Sequence, residues 1–166
     1  MHKMNRVIVV YYSLNGNSAY VAEKIAGETG CDVLAVEPEK DYPKSGFMKF
    51  FRGGKSAVMK EMPALKPYQF RAENYDHVIL GLPVWASNVT PPIRTFIHEN
   101  MQVLKDKKIS AYVCESGAGG EKVLDRLQQE LQNHPFEETM ILIDPKEKQL
   151  KENDERISEF CRKLGM

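Results

Sequence analysis

The sequence predicts an α/β protein in which helices cover both faces of a five-stranded parallel sheet, forming a three-layer sandwich. Short apolar segments rich in β-branched residues alternate with segments whose apolar residues recur at helical spacing. The first strand segment is apolar without period-2 alternation, which is typical of a strand buried on both faces. Five segments have the length and composition of strands: residues 6–12, 33–37, 77–82, 109–114 and 139–143.

Apolar stripes predict helices between these strands. The first helix follows the first strand at once, with Asn17 or Ser18 as its N-cap and with Gly27 and Gly30 at its end. A Pro-Pro pair at residues 91–92 predicts the start of another helix. Two further stripes flank the last strand: Val123, Leu124, Leu127 and Leu131 before it, and Leu150, Ile157, Phe160, Cys161 and Leu164 after it.

Length and charge limit the classes of function. The chain has 166 residues, 42% of them hydrophobic, which fits a single domain spanning residues 1–166. Lys+Arg and Asp+Glu both total 23, which argues against a protein that binds nucleic acid or membrane surfaces through its overall charge. Cys31, Cys114 and Cys161 have neither metal-ligand nor redox-pair spacing, so we expect core residues and no metal site.

The sequence contains no candidate membrane segment. The N-terminus reaches the first predicted strand before any apolar stretch of the signal-peptide type. No run approaches the roughly 18 apolar residues that a membrane span needs. We therefore expect a cytoplasmic protein without a membrane partner.

Residues 38–74 form an irregular insert that is too long for a simple strand-to-helix connection. Between residues 40 and 66, seven Lys or Arg face only Asp41 and Glu61. Such an excess could attract an anionic substrate or partner, although a solvated helix face with aromatic residues in the core is the simpler interpretation. The Gly-Gly-Lys-Ser run at residues 53–56 lacks the first glycine and the preceding strand of a P-loop, so we predict no triphosphate site there.

The turn after the first strand is a candidate phosphate site. Residues 13–18 read Ser-Leu-Asn-Gly-Asn-Ser and lead into the first predicted helix. The first amides of a helix lack intrahelical partners and lie at the positive end of its dipole, so they favour an anion. No Lys or Arg lies in this turn, which favours a terminal monophosphate over a triphosphate. The alternative is an ordinary turn whose Ser and Asn only cap the helix.

Two more loops follow strand ends. Residues 83–88, Pro-Val-Trp-Ala-Ser-Asn, hold Trp85, the one tryptophan of the chain. A flat ring in a loop suits stacking on a planar ligand, but Trp85 could instead fill a gap between loop and helix. Residues 116–120, Ser-Gly-Ala-Gly-Gly, allow backbone amides to approach a ligand edge, or form a plain flexible connection. All three loops are expected at one edge of the sheet.

These loops together resemble those of the flavodoxin family. In that family an apolar strand leads through an aromatic residue, a hydroxyl residue and a Gly-Asn turn to a second hydroxyl residue, here Ser13 and Ser18. The resemblance covers nearly the whole chain and implies the flavodoxin-like strand order 2-1-3-4-5 with FMN as cofactor. It implies that the phosphate is held by Ser13, Asn15, Gly16, Asn17 and Ser18, and that the flavin ring meets Pro83, Val84, Trp85, Ala86, Ser87, Asn88, Ser116, Gly117, Ala118, Gly119 and Gly120.

The chain departs from the family pattern at two positions. Ser87 stands where flavodoxin-like reductases have the glycine of Pro-x-Trp-x-Gly, and Glu115 stands where Thr or Ser is usual. In the family, a peptide beside that glycine turns its carbonyl toward flavin N5 and stabilises the one-electron semiquinone. Serine tolerates positive φ poorly, so we expect weaker semiquinone stabilisation here and a preference for two-electron chemistry. The aromatic residue that often covers the outer flavin face is also missing.

Two functions are compatible with these features. The first is an FMN-dependent oxidoreductase that passes electrons from NAD(P)H to a small acceptor such as a quinone. The alternative is a non-catalytic electron-transfer flavodoxin that docks on partner redox proteins; such carriers are typically acidic, so the neutral charge favours the enzyme. No catalytic residue is predicted, because Glu115 is a candidate by location only and a capping role is simpler. A homodimer is compatible with the resemblance.

Overall fold

The computed structural model describes residues 6–43 and 47–165 of the chain. Strands and helices alternate along it, with one short 3₁₀ turn, Ala72–Asn74, before the third strand. The strands are β1 (Val7–Tyr11), β2 (Asp32–Ala35), β3 (His77–Pro83), β4 (Lys108–Glu115) and β5 (Phe136–Ile143). The helices are α1 (Asn17–Thr29), α2 (Phe47–Val58), α3 (Pro91–Leu104), α4 (Gly120–Glu130) and α5 (Lys151–Lys163).

The sheet has the order β2-β1-β3-β4-β5, and all neighbouring strands are parallel. The expected fold class and strand order are therefore confirmed. β5 begins at Phe136, three residues before the predicted start. The sequence pattern does not reveal this first part of the edge strand, because the exposed Glu137 interrupts the apolar run. The parallel arrangement brings the carboxyl ends of β1, β3 and β4 to one edge of the sheet.

Two apolar layers hold the helices against the sheet. On one face, Ile25 of α1 and Phe160 of α5 pack with Ile79 and Leu142 of the strands. On the other face, side chains of α3 and α4 pack against the strand residues that point the opposite way, such as Leu80, the neighbour of Ile79 on β3. Each central strand is thus buried on both sides, which explains its unbroken apolar sequence. Cys114 and Cys161 are buried, Cys31 is half-buried, and all three are free thiols, in agreement with the prediction of core cysteines.

The segment at residues 38–74 contains helix α2, which the sequence pattern does not predict. Backbone hydrogen bonds join the chain before α2 to the chain after it. Glu39 N–H donates to Ala64 O at 2.9 Å, and Lys66 N–H donates to Glu37 O at 2.8 Å. The chain thus leaves the sheet edge, forms α2 and returns to the same place. Gly53 and Gly54 lie inside α2, where glycine is unfavourable, and this conceals the helix in the sequence.

Across residues 6–43 and 47–165, no helix is both long and apolar enough to cross a membrane. The same residues contain no group of three His, Cys, Asp or Glu side chains that could hold a metal ion.

His77 begins β3 and is a buried structural histidine. It is 4% exposed, and its Nε2 lies 2.8 Å from Ser110 Oγ on β4. Burial lowers the pKa of His77 to about 4, because the charged imidazolium loses its hydration. The neutral ring is therefore the form that the fold accommodates at neutral pH.

We predict that protonation of His77 contributes to acid unfolding. The pKa of His77 is lower in the folded state than in the unfolded chain, so the stabilisation is complete above the unfolded value of 6.5 and is lost as the pH falls toward 4. Urea unfolding at pH 7 and pH 4 should show that His77 accounts for about 3 kcal/mol of the lost free energy of unfolding. A His77→Gln variant should lose correspondingly less over this range. Equal losses in the two proteins would contradict the assignment.

Candidate functional site

The loops that follow β1, β3 and β4 meet at a cleft of about 360 Å³. Residues from the turn after β1 form one wall, and residues from the loop after β3 form the opposite wall. The cleft is lined by Ser13, Leu14, Asn15, Asn17, Ser18, Gly54, Pro83, Val84, Trp85, Ala86, Cys114 and Ser116. It lies beyond the carboxyl ends of the central strands, where open parallel sheets bind their ligands.

A left-handed glycine shapes the turn at residues 13–18. Gly16 has φ +100 and forms the N-cap of α1 without a side-chain cap, while its N–H donates to Ser13 Oγ at 3.1 Å. The helix ladder starts with Tyr20 N–H, which donates to Gly16 O at 2.9 Å. The amides of residues 17–19 precede that bond and have no intrahelical acceptor. The turn therefore directs the positive end of α1 into the cleft.

The prediction that Asn17 or Ser18 caps α1 is wrong. Asn17 Oδ1 instead accepts a 2.9 Å hydrogen bond from the backbone N–H of Lys146, in the loop between β5 and α5. Ser18 is fully buried, and its Oγ has no full-strength hydrogen-bond partner within the described part of the chain. The Cys114 thiol beside it is a weak hydrogen-bonding group, and burial raises the pKa of that thiol to about 12.

A buried hydroxyl without a strong partner costs stability, which folded proteins generally avoid. Ser18 is among the residues that line the cleft at the N-terminus of α1, where the first amides of the helix favour a bound anion. The Ser18 backbone is fixed independently, because Tyr112 Oη donates a 2.8 Å hydrogen bond to Ser18 O from within the core. The hydroxyl is thus held next to the cleft without a strong hydrogen-bond partner.

Lys146 brings a positive charge to this turn that the local sequence does not contain. A methyl group in place of the Gly16 hydrogen would lie 2.7 Å from Lys146 Nζ. The ammonium group therefore covers the outer side of Gly16, while the side chain as a whole is exposed. Residues 13–18 themselves carry only neutral donors, as expected. The folded site also includes the Lys146 ammonium group, which comes from a distant part of the chain.

Trp85 is packed on one side and faces the cleft with the rest of its surface. Its ring contacts Tyr12 and Tyr42 edge-on, with centroid distances of 5.5 and 5.0 Å. Gly53 of α2 is so close that a Cβ there would lie 3.2 Å from the Trp85 ring. Trp85 therefore fills a gap against α2, as one interpretation held, and it also lines the cleft; its stacking on a planar ligand stays a prediction.

The residues after Trp85 form a tight turn with unusual backbone angles. Ala86 has φ 49 and Ser87 has φ 57, and Asn88 N–H donates to Trp85 O at 2.9 Å. Two successive left-handed residues are typical of a type I′ turn, which normally uses glycine or asparagine. Asn88 Nδ2 donates to Ala86 O at 2.8 Å, and Arg126 Nη1 donates to Ser87 O at 2.9 Å. These bonds hold the turn in place, so serine does adopt the positive φ that we expected it to avoid.

The Gly-rich loop contributes less to the cleft than predicted. Ser116 lines it, and Ser116 Oγ donates to Asp144 Oδ1 at 3.0 Å. Gly119 has φ +100 and packs against Val84 and Ser87. Glu115 Oε2 accepts a 2.8 Å hydrogen bond from Gly120 N–H at the start of α4. Glu115 thus caps a helix, as the simpler interpretation held.

Comparison with known proteins identifies the family. The family model described as flavodoxin matches residues 6–157. The chain belongs to the flavodoxin family.

Solved structures similar to this flavodoxin-family chain share its fold. A flavoprotein in complex with FMN from Lactobacillus acidophilus has a TM-score of 0.73 and 18% identity, covering 86% of this chain and 95% of that one. A putative flavoprotein from Bacteroides eggerthii has a TM-score of 0.73 and 23% identity, with 82% and 87% covered. Oxidised flavodoxin 2 from Bacillus cereus has a TM-score of 0.58 and 16% identity, with 96% and 97% covered.

The structure brings together nine of the sixteen residues that the sequence singled out, and they line the cleft: Ser13, Asn15, Asn17, Ser18, Pro83, Val84, Trp85, Ala86 and Ser116. The others lie behind this wall or beside it: Gly16, Ser87, Asn88, Gly117, Ala118, Gly119 and Gly120. Sequence reasoning missed Leu14, Gly54 and Cys114 in the lining. Leu14 lies between two predicted residues and Cys114 lies two residues before Ser116, so both could have been included, whereas Gly54 belongs to helix α2.

The backbone strain in the 85–88 turn leads to a stability prediction. Replacing Ser87 by glycine removes the steric cost of positive φ, so the Ser87→Gly variant should be more stable than the wild type by about 1 kcal/mol in urea unfolding. Ser87→Ala is the matched control, since it keeps Cβ and should change the free energy of unfolding by less than about 0.5 kcal/mol. If the glycine variant were less stable than the alanine variant, the turn would not be strained.

Proposed function

We propose that this protein is an FMN-binding oxidoreductase that passes electrons from NAD(P)H to a small acceptor such as a quinone. The observation that carries the FMN assignment is the buried Ser18 hydroxyl, which lacks a strong partner at the N-terminus of α1. Family membership and the Lactobacillus acidophilus neighbour, described in complex with FMN, support the same cofactor.

The residues of the cleft fit FMN. The turn at residues 13–18 would hold its phosphate through Ser13, Ser18 and the first amides of α1, with the Lys146 ammonium nearby. Gly16 keeps this turn free of a side chain, and its φ of +100 is a conformation that residues with Cβ rarely adopt. Trp85 and the other apolar residues of the β3 loop would contact the ring system, and Ser116 lies at the opposite loop.

The chain's own residues bind and orient the cofactor, while the bound FMN supplies the redox chemistry. The thiol of Cys114 stays protonated at neutral pH, because burial raises its pKa to about 12. The pKa of Tyr12, on which Trp85 packs, is likewise raised by burial. Tyr12 lies behind Trp85, and the uncharged Cys114 together with Val84 and Trp85 gives the cleft an apolar wall against which a planar ring can pack.

The surroundings of the cleft favour an enzyme over an electron carrier. Ser116, Gly117 and Ala118 are exposed and include no aromatic side chain that could cover the cleft on that side. A small molecule could therefore approach from there. The chain carries equal numbers of acidic and basic residues, whereas a carrier that docks on basic redox proteins benefits from negative charge. The free thiols of all three cysteines suit a reducing cytoplasm.

The test is donor oxidation by the FMN-loaded protein. The apoprotein should bind FMN with one-to-one stoichiometry. Under anaerobic conditions the loaded protein should then oxidise NADH or NADPH in the presence of benzoquinone, with a turnover on the order of 1 s⁻¹ or faster. Free FMN at the same concentration and the apoprotein without FMN are the controls, because they report the slow reduction of free flavin by the donor and any direct reaction between donor and quinone.

Two results would contradict the proposal at different levels. If the loaded protein oxidises neither donor faster than free FMN does, but accepts electrons from a flavodoxin reductase, it is a non-catalytic electron-transfer flavodoxin that docks on redox partners. If the protein does not bind FMN at all, both flavin functions fail.

A further inference from the structure

A second cleft, of about 760 Å³, lies between α3 and α4 near the C-terminal end of α2. It is separate from the first cleft, and the turn at residues 85–88 stands between the two. Trp85 and Ala86 line the first cleft, whereas Asn88 lines the second. Two of its lining residues come from segments that the sequence singles out: Lys60 from the insert at residues 38–74 and Asn88 from the loop after β3.

Positively charged side chains dominate the second cleft. Lys60, Arg94 and Arg126 line it, together with His98, and Glu130 is the one carboxylate in its lining. Both oxygens of Glu130 are already engaged: Arg94 Nε donates to Oε1 at 2.8 Å, and His98 Nε2 lies 2.9 Å from Oε2. Considering residues 6–43 and 47–165, neither Lys60 nor Arg126 has a carboxylate oxygen within 4.0 Å.

Arg94 is the strongest indication that this cleft is a binding site. The side chain is 3% exposed, yet its Nη1 has no hydrogen-bond partner in the described part of the chain. A buried guanidinium group normally satisfies its donors, because leaving one unpaired is costly. Arginine forms paired hydrogen bonds with carboxylate and phosphate oxygens more readily than any other side chain. Arg94 is thus held by Glu130 on one edge and has donor capacity remaining.

Lys60 stands at the mouth of the cleft in a strained conformation. It lies in the turn just after α2 with φ 54, a position at which glycine is usual, and its N–H donates to Ala57 O at 3.2 Å. Retaining a lysine there costs stability that a glycine would avoid. Strain of this kind is common where a side chain serves a binding role.

We propose that the second cleft binds the oxyanion group of a small organic molecule, either a phosphate ester or a carboxylate. Arg94, Lys60 and Arg126 supply the charge, and Val58 and Met101 supply an apolar wall for the rest of the ligand. Arg126 also donates to Ser87 O, so an anion that engages this guanidinium group competes with the turn for it. Binding in the second cleft therefore alters the turn that borders the first. The inference does not depend on FMN, because the apoprotein already contains the cleft.

The experiment is a titration of ¹⁵N-labelled apoprotein with inorganic phosphate, and separately with succinate, followed by backbone amide and arginine Nε–H resonances. We expect saturable shifts at Asn88, Arg94 and Arg126, with a dissociation constant of about 1 mM or below for the better anion. Lys60→Gln and Arg126→Gln should each weaken binding about threefold to tenfold. The control is Lys151→Gln, which makes the same charge change on an exposed side chain of α5, across the sheet.

Phosphate can also enter the turn at residues 13–18, and those resonances report that event separately. The shifts that phosphate causes at residues 13–18 should be the same in Lys60→Gln as in the wild type. Binding at the turn and binding in the second cleft are therefore tested independently. Stronger phosphate binding identifies a phosphate ester as the ligand class, and stronger succinate binding identifies a carboxylate. Shifts that do not saturate, or equal losses in Lys60→Gln and Lys151→Gln, would overturn the proposal.

Discussion

The position of α1 depends on a hydrogen bond that spans the core. Tyr112, on β4, is fully buried, and its hydroxyl donates to Ser18 O at 2.8 Å across 94 residues of sequence. The ring occupies space that Gly81 leaves open on β3, since a Cβ at that position would overlap it. Burial raises the pKa of Tyr112 well above its usual value, so the hydroxyl remains a donor. The N-terminus of α1 is thereby fixed relative to the strand ends, and the cleft depends on that placement.

A second constraint acts on the opposite wall of the cleft. The turn after Trp85 holds Ala86 and Ser87 at positive φ, which side chains with Cβ adopt at a cost. The hydrogen bond from Arg126 to Ser87 O and the contact of Gly119 with the same residue compensate for that cost. Helix α4 therefore supports the turn through Arg126, and Arg126 also lines the second cleft. The two clefts are physically connected through one short segment of backbone.

The sequence predicts the sheet, four of the helices and most of the cleft lining, because these follow from local patterns. Apolar runs define the strands, Ser13 and Trp85 lie two residues beyond strand ends, and Ser18 lies in the first turn of the helix that follows β1. The weaker semiquinone stabilisation expected from Ser87 stays a prediction. The assumption behind it, that Ser87 avoids positive φ, was wrong.

Contributions from distant segments could not be predicted in this way. Lys146 reaches the turn from 129 residues beyond Asn17, and nothing in its own neighbourhood marks it as part of a site. Helix α2 is concealed by glycines, one of which, Gly53, packs so closely on Trp85 that a Cβ would lie 3.2 Å from its ring. Arg94 looks like an ordinary residue of an amphipathic helix, and only its burial and unpaired Nη1 distinguish it.

The central claim is that the Ser18 hydroxyl and the start of α1 hold a phosphate group. The most direct test compares the affinities of the apoprotein for FMN and for riboflavin, which lacks the phosphate, in the wild type and in Ser18→Ala. We expect the variant to lose about tenfold or more in FMN affinity, while riboflavin binding changes little. Ser158→Ala, on the exposed face of α5, should leave both affinities unchanged. Equal losses for FMN and riboflavin in Ser18→Ala, or no loss for either, would contradict the account.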